Sequence, residues 1–510
     1  MTEDGNFPGR STRRDFIKQS MLAAAASPLI GAIAPAAGAE ASGQNANRPN
    51  ILLVISDQYR WDFIHAHGQN PTDFTPNLDA MVRRGTTFEN AFTNQPLCSP
   101  ARSCLFTGQY ATTTGVWKLT GPGIGLRQDA VTLATVLAGA GYSTNYIGKW
   151  HLMQVRDKNH DRGFGDLGFV PPEQRGGFTG LWQAANVLEL TSHPYHGTMW
   201  DGDGTPMNFK GIYRVDYLTE LAVKFLKQKQ DKPFFLVLSQ LEPHQQNDLN
   251  GFAPPKGYAE KFSNPFVPPD LRPFPGDWPF QLANYYGDCK SIDESMGKIF
   301  QTLREQNLED NTIVIFLSDH GCHFRTRNTE YKRSPHDSST HIPLVIQGPG
   351  FNNGRKISEL VSLVDIAPTL IDLLGLPIPQ AMQGRSFLPL MNDSNARAAW
   401  RNEIFIQISE SEIARALRTP EWTYVALAPD ATSRSSGGSM NYRDYQLYNN
   451  TTDPAQIVNL AGRDDPPRLL HYGGGKGMRK ITEDLRERLL ARMEEAGEPR
   501  PDIARWDFYP

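Results

Sequence analysis

Short apolar runs recur along the chain at residues 51–55, 142–147, 234–238, 313–317 and 344–346. They are rich in β-branched and aromatic side chains and bounded by Pro, Asn or Gly, the pattern of strands buried on both faces. Between them the apolar positions switch to helical spacing. Ile292, Met296, Ile299, Phe300 and Leu303 mark a helix expected over 291–306. Strands alternating with helices predict an α/β fold built on a large, mostly parallel sheet flanked by helices. After a polar stretch at 384–400 the pattern changes. Runs at 404–408, 422–427 and 445–448, followed by Leu485, Leu489 and Met493 four apart, predict a smaller C-terminal antiparallel sheet with one helix that Thr482 caps. The expected division is therefore 40–390 and 391–510. Stretches rich in serine and glycine at 433–439 and 473–477 read as mobile loops. Two longer stretches, 178–213 and 252–286, read as loops carrying Trp182, Trp200, Phe266, Phe274 and Trp278. Such rings either stack on sugars above an active rim or anchor the loops by packing, and packing is the favoured reading.

Length and charge narrow the class. At 510 residues with a formal net charge of −4, the chain exceeds one core and predicts a large domain plus a smaller one. The composition excludes a disordered chain, a collagen-like repeat and a polytopic membrane protein. The mild acidity argues against a nucleic-acid coat or a polybasic membrane binder. Four cysteines in this length are no disulfide scaffold.

Residues 1–39 read as an address. Arg13-Arg14-Asp15-Phe16 precedes a weakly apolar stretch that closes on Ala37-Gly38-Ala39, in the order of a secretory leader. An anchoring helix is the alternative, but Pro28, Pro35 and the alanine content disfavour a span. The paired arginines resemble the twin-arginine export signal. The expectation is a periplasmic or secreted protein with no stable membrane span, carried folded by the export machinery.

The residues just beyond each strand carry the chemistry. The runs end in Ser56-Asp57-Gln58, Gly148-Lys149-Trp150-His151, Glu242-Pro243-His244 and Ser318-Asp319-His320-Gly321. Ligands of open α/β sheets bind beyond the carboxyl ends of strands, so these clusters are expected on one rim. Lys149 and His151, two apart in an extended segment, would share a face. At Cys98-Ser99-Pro100-Ala101-Arg102, Ser99 is a natural N-cap and Pro100 a natural first helical residue. Cys98 would then face a helix N-terminus, which favours negative charge. A small buried thiol and a helix-activated thiolate nucleophile are the simpler readings. Arg102, one turn on, could point back toward Cys98.

The pattern Cys98-x-Pro100-x-Arg102 followed by Leu105-x-Thr107-Gly108 resembles the type I sulfatase signature of the alkaline-phosphatase-like superfamily. Supporting stretches at 48–57, 75–79, 148–151, 310–321 and 447–454 extend the resemblance over nearly the whole chain after the leader. The resemblance implies that a formylglycine-generating enzyme oxidises Cys98 to formylglycine. One hydroxyl of the hydrated aldehyde attacks sulfur, and loss of the other's proton expels sulfate, which a serine could not do. It also implies a divalent metal on Asp57, Asp319, His320 and modified Cys98, with Gln58 a further candidate. Many sulfatases carry Asp where Gln58 stands and Asn where His320 stands. Calcium is the expected ion, with magnesium and manganese open because an imidazole joins the set. Arg102 would hold the hydrate. Lys149 and His151 would bind sulfate, with His151 the base of the elimination step. His244 and Lys332 would contact sulfate and the leaving oxygen, one of them donating the proton. His336 and His341 are open between a structural and a substrate-subsite role. The implied substrate is a sulfated glycan. A phosphonate or phosphate monoester hydrolase on the same scaffold and a non-catalytic sulfoglycan-binding protein are the rivals.

Overall fold

The computed structural model describes residues 48–155, 167–429, 436–461 and 477–506. The leader at 1–39, residues 433–435 of the first expected loop and 473–476 of the second lie outside them. At the centre, five strands run parallel in the order Thr312–Ser318, Asn50–Ser56, Phe234–Gln240, Ser143–Lys149 and Trp182–Ala185. Every residue of Asn50–Ser56, Phe234–Gln240 and Thr312–Ser318 is buried, which is why these runs show no polar alternation. Each fully buried Leu, Ile or Phe contributes ~1.5–3 kcal/mol of transfer free energy.

The flanks depart from the expected parallel pattern. Leu344–Gln347 pairs antiparallel with Thr312–Ser318, and Thr86–Phe88 antiparallel with Leu344–Gln347. On the opposite flank His196–Asp201 pairs antiparallel with Trp182–Ala185 and carries Pro206–Lys210 and Ser192–His193. The resulting 11-stranded sheet is mixed, with a parallel core, antiparallel flanks and an edge strand, Arg355–Ile357, that returns to parallel pairing on Thr86–Phe88. The 178–213 stretch is thus part of the sheet rather than a loop: Trp182–Ala185 ends the parallel core and the strands after it extend it antiparallel. Trp182 in it is fully packed, stacked on Tyr146 at 5.2 Å, and Trp200 is half-buried against the core. Packing governs these rings.

The helix expected over 291–306 begins 13 residues earlier and spans Trp278–Glu305. Pro279 fits its first turn, where no intrahelical N–H is needed. Leu282, Tyr285, Cys289, Ile292, Met296, Ile299 and Leu303 form one buried stripe. Part of the second aromatic stretch therefore belongs to this helix.

The smaller sheet orders Ile404–Ile408, Ala414–Arg418, Trp422–Leu427, Asn441–Asn449 and Asp502–Ala504. It is antiparallel except for the last pair. Its helix starts earlier than expected, at Met478, so Thr482 lies inside it and its hydroxyl donates to the Met478 carbonyl. Leu485, Leu489 and Met493 join one apolar cluster with Leu417 and Tyr424 of the sheet and Ile346 and Phe351 of the larger part. No helix among the described residues is long and apolar enough to cross a membrane.

Candidate active site

The strand ends deliver the expected side chains to one rim. Asp57 follows Asn50–Ser56, Asp319 and His320 follow Thr312–Ser318, Lys149 ends Ser143–Lys149, and His244 stands four residues past Phe234–Gln240. Because these four strands lie side by side and parallel in the sheet, their carboxyl ends open on the same crevice. A helix, Cys98–Thr107, brings Cys98 and Arg102.

That helix corrects the sequence reading by two positions. Leu97 is its N-cap and Cys98 its first residue, while the Ser99 hydroxyl accepts from the Thr120 N–H instead of capping. Cys98 is 1% exposed. Its Sγ, standing where the oxygens of formylglycine would be, receives Lys332 Nζ at 3.1 Å and Lys149 Nζ at 3.5 Å. Burial opposes ionisation of this thiol, yet the ammonium groups of Lys149 and Lys332 hold it well below the usual thiol range. The position is built to carry negative charge.

Acceptors also crowd the sulfur, and one of them, Asp57, receives Lys149 Nζ at 2.7 Å through its other oxygen. Asp57 Oδ1 is 3.6 Å and His320 Nε2 3.4 Å from Sγ. His320 Nδ1 lies 3.0 Å from the Gly321 carbonyl and donates to it, so Nε2 turns its lone pair toward the cluster. Nε2 lies 3.5 Å from an Asp57 oxygen and 3.7 Å from an Asp319 oxygen. One ligand atom from each of Asp57, Cys98, Asp319 and His320 falls within 4.8 Å of the others, all four residues buried. Gln58 sits beside them at φ 70, its N–H donating to Asp319 Oδ1 and its buried Oε1 without a partner among the described residues. Converging lone pairs plus an orphaned amide oxygen fit a divalent cation, with oxygen donors predominating.

Arg102 does something other than expected. It contacts the carboxylates rather than Cys98, with Nε 3.1 Å from Asp319 Oδ2 and Nη2 3.2 Å from Asp57 Oδ2. Nη1 donates to the Lys149 carbonyl and to Ser239 Oγ. The guanidinium thereby ties together the ends of four neighbouring strands. Burial pushes Asp319 up, whereas Asp57 is held far below the carboxylate range because the ammonium groups of Lys149 and Lys332 outweigh its burial and its repulsion from Cys98.

His151 reaches the site by a different route from the one inferred. It follows the strand at φ 56, so left-handed backbone, not extended alternation, turns it inward. Its Nδ1 lies 3.7 Å from Glu189 Oε1, the same oxygen that receives Lys149 Nζ at 2.9 Å. Glu189 is buried, and although burial acts to raise its carboxyl, Lys149 and His151 bring it down to about 2. Sequence reasoning missed this residue. The available signal was an acid flanked by Leu188 and Leu190, since a charge in an apolar run needs a buried partner.

His244 and Lys332 are one unit. Lys332 Nζ lies 2.9 Å from His244 Nε2, and His244 Nδ1 lies 2.6 Å from the Gln245 carbonyl. Nδ1 therefore holds the ring proton and Nε2 accepts from the ammonium. Burial and the Lys332 charge push His244 below the ordinary histidine value, which keeps it neutral. Of the two open histidines, His336 is buried between Ser334 Oγ and Tyr448 OH. His341 stacks between Trp61 and Phe92 with Nε2 on the Glu89 carbonyl. These partners occupy both rings with packing rather than with the Cys98 cluster. All four cysteines are free and buried.

The chain is similar to proteins of known class over most of its length. The family model described as Sulfatase matches residues 49–376, and that of the N-sulphoglucosamine sulphohydrolase C-terminal region matches 329–494. An ulvan-active sulfatase of Formosa agariphila is 29% identical over 486 residues, covering 90% of this chain and 88% of the relative. An endo-4-O-sulfatase of Bacteroides thetaiotaomicron is also 29% identical, covering 82% and 89%. Among solved structures, a Bacteroides thetaiotaomicron sulfatase of glycosaminoglycan metabolism superposes with a TM-score of 0.73 at 25% identity, covering 89% of this chain and 97% of that one.

Proposed function

Because the chain belongs to the sulfatase family and is thus an enzyme of sulfate-ester hydrolysis, we propose that it removes sulfate from a sulfated carbohydrate, with formylglycine at position 98 as nucleophile. The observation that carries the reading is the set of groups converging on Cys98 Sγ. Lys332 Nζ, Lys149 Nζ, His320 Nε2 and Asp57 Oδ1 all lie within 3.6 Å of it, with Lys149 also bonded to Asp57 at 2.7 Å. The names of the relatives, active on ulvan or releasing 4-O-sulfate, support a glycan substrate.

The aldehyde hydrate would supply a nucleophile that regenerates itself. A divalent ion on Asp57, Asp319, His320 and modified Cys98, with Gln58 a further candidate, would supply positive charge at the attacking group, calcium being favoured by the oxygen donors and magnesium and manganese open. The chain's own residues do the rest. Lys149 and Lys332 hold the sulfate oxygens against the nucleophile and offset charge that grows in the transition state. Lys332 and His244, sharing a proton over 2.9 Å, deliver it to the departing sugar oxygen. His151 takes the proton that releases sulfate, with the Glu189 carboxylate 3.7 Å from its Nδ1 to offset the charge it gains. Arg102 keeps the two carboxylates at fixed separation.

The leader at 1–39 belongs to the same proposal. Export in the folded state would place conversion of Cys98 and metal loading in the cytoplasm, and action on glycans in the periplasm or outside. The deciding experiment has two arms. The mass of the tryptic peptide containing residue 98, from a host with the modifying enzyme, should show formylglycine. Sulfated oligosaccharides should then be turned over faster than a small aryl sulfate. A retained thiol in active enzyme removes the mechanism, and preference for the aryl ester removes the carbohydrate assignment.

A further inference from the structure

Arg214 opens the helix Arg214–Leu226 and is 1% exposed. Its guanidinium takes hold of the chain on both sides of His244. Nε and Nη2 donate to Glu242 Oε1 at 3.0 and 2.7 Å, two residues before the histidine. Nη1 donates to Gln246 Oε1 at 3.2 Å, two residues after it, and to Ser192 Oγ at 3.0 Å. Gln246 Nε2 in turn donates to the Ser192 carbonyl at 3.1 Å. Glu242 and Gln246 are both buried.

Between the two gripped residues lies the segment that sets the ring. His244 Nδ1 is 2.6 Å from the Gln245 carbonyl, which keeps the ring proton on Nδ1 and turns the Nε2 lone pair to Lys332 Nζ at 2.9 Å. The backbone fixes each end of this turn separately. The Glu242 carbonyl accepts from Ser56 Oγ at 2.8 Å, and the Gln246 N–H donates to the Gly251 carbonyl at 2.8 Å. The guanidinium joins the two ends to each other. Stability alone does not call for a charge here, since a buried ion pair is often no more stabilising than apolar side chains of the same volume. A rigid fork of donors, by contrast, holds two flanks at a set separation.

We propose that Arg214 is the positioning residue of His244, bracketing the turn so that the Gln245 carbonyl holds the ring proton on Nδ1 and Nε2 stays open to Lys332. Its effect on the imidazole stands by itself. Its effect on rate rests on the reading of His244 and Lys332 as the proton donor to the leaving oxygen. Without the bracket the carbonyl can swing away and the proton can move to Nε2, where it would face the ammonium instead of accepting from it.

The test reads the imidazole and the rate separately. In full-length enzyme labelled with 15N-histidine, with His244 assigned by the signals lost in His244→Asn, NMR should show the Nδ1–H form. Two variants then remove the bracket. In Arg214→Lys a single ammonium pairs with Glu242 but does not span to Gln246. Arg214→Met combined with Glu242→Leu takes both charges out together, so no buried charge is stranded and the fold is retained. In both, the Nε2–H form should appear at His244. The kcat/KM for phenyl sulfate, whose phenol is a poor leaving group, should fall about 10²-fold, and that for 4-nitrophenyl sulfate far less. Damage passed instead through Ser192, whose hydroxyl donates to the Leu188 carbonyl beside Glu189, would slow both esters alike. The proposal is overturned by an Nε2–H ring in the wild type, by an unchanged tautomer in both variants, or by equal losses for the two esters. A displaced proton with both esters turned over as in the wild type upholds the bracket and removes proton donation from the pair.

Discussion

Lys332 Nζ lies 2.9 Å from His244 Nε2 and 3.1 Å from Cys98 Sγ, although 88 residues separate the lysine from the histidine. The imidazole and the ammonium form one hydrogen-bonded pair whose lysine end touches Cys98 Sγ, the arrangement the proposed proton donation uses. Replacing either half should slow catalysis by ~10²–10⁴-fold where protonation of the leaving oxygen is required. Lys332→Ala and His244→Ala should therefore suffer far more with alkyl or sugar sulfates than with an aryl sulfate whose phenolate departs unaided. Equal losses for both substrate types would assign the pair to binding alone.

Glu189 offers a sharper separation of roles. Glu189→Gln keeps the side-chain shape but withdraws the counter-charge from Lys149 and the neighbour of His151. A partner shell of this kind is worth about 10–100-fold in activity. The expected result is a fall in kcat of that size with an unchanged circular dichroism spectrum, and activity within about twofold of wild type would contradict it.

The same residue predicts an acid limb. Its carboxyl stands at about 2 in the folded chain, below the ordinary 4.5. The stabilisation it brings is full above pH 4.5 and is lost as the pH falls toward 2, on the order of 3 kcal/mol for a buried group. Glu189→Gln should flatten the decline of Tm between these pH values, measured by calorimetry on both proteins.

Metal removal should be visible in stability as well as rate. Converging lone pairs from Asp57, Asp319, His320 and Gln58 repel one another without a cation. A ligand at about a hundred times its Kd adds about 2.7 kcal/mol to the folded state. Chelation should lower Tm and abolish turnover, and readdition of calcium, magnesium and manganese in parallel should rank the ions. Arg102→Lys should weaken the best of them by about tenfold or more, because an ammonium cannot bridge two carboxylates as the guanidinium does. No thermal shift with any ion would remove the metal site.

Rival chemistry on this scaffold is settled by competition. Asp57-Gln58 and Asp319-His320 are also compatible with phosphonate or phosphate esters. With matched sulfate and phosphonate monoesters in one reaction, the sulfate ester should be consumed first. Reversal of that order would reassign the enzyme.

Much of this architecture was legible before any coordinate. Ile404–Ile408 and Trp422–Leu427 match their apolar runs residue for residue, because their side chains meet a core along most of their length. Their neighbour Ala414–Arg418 escaped notice. Its burial depends on Arg415 pairing with Glu498 and Arg418 with Asp337, partners a local pattern does not reveal. The short strands between residues 182 and 210 were hidden by the same difficulty, since several are stabilised by cross-strand neighbours rather than by hydrophobic run length. At the site, motif residues attached to strand ends were found, and the rim rule brought them together. Glu189 and the true grip of Arg102 were not, because both are set by tertiary contacts between elements far apart in sequence.

Cys98 stands at the first turn of its helix with almost no surface of its own, closed in by two lysines, two carboxylates and an imidazole. A finished fold thus presents almost none of this sulfur to a visiting protein. If Cys98 is converted as proposed, the converting enzyme has to reach it while the polypeptide is still open, and conversion then races against closure of the fold.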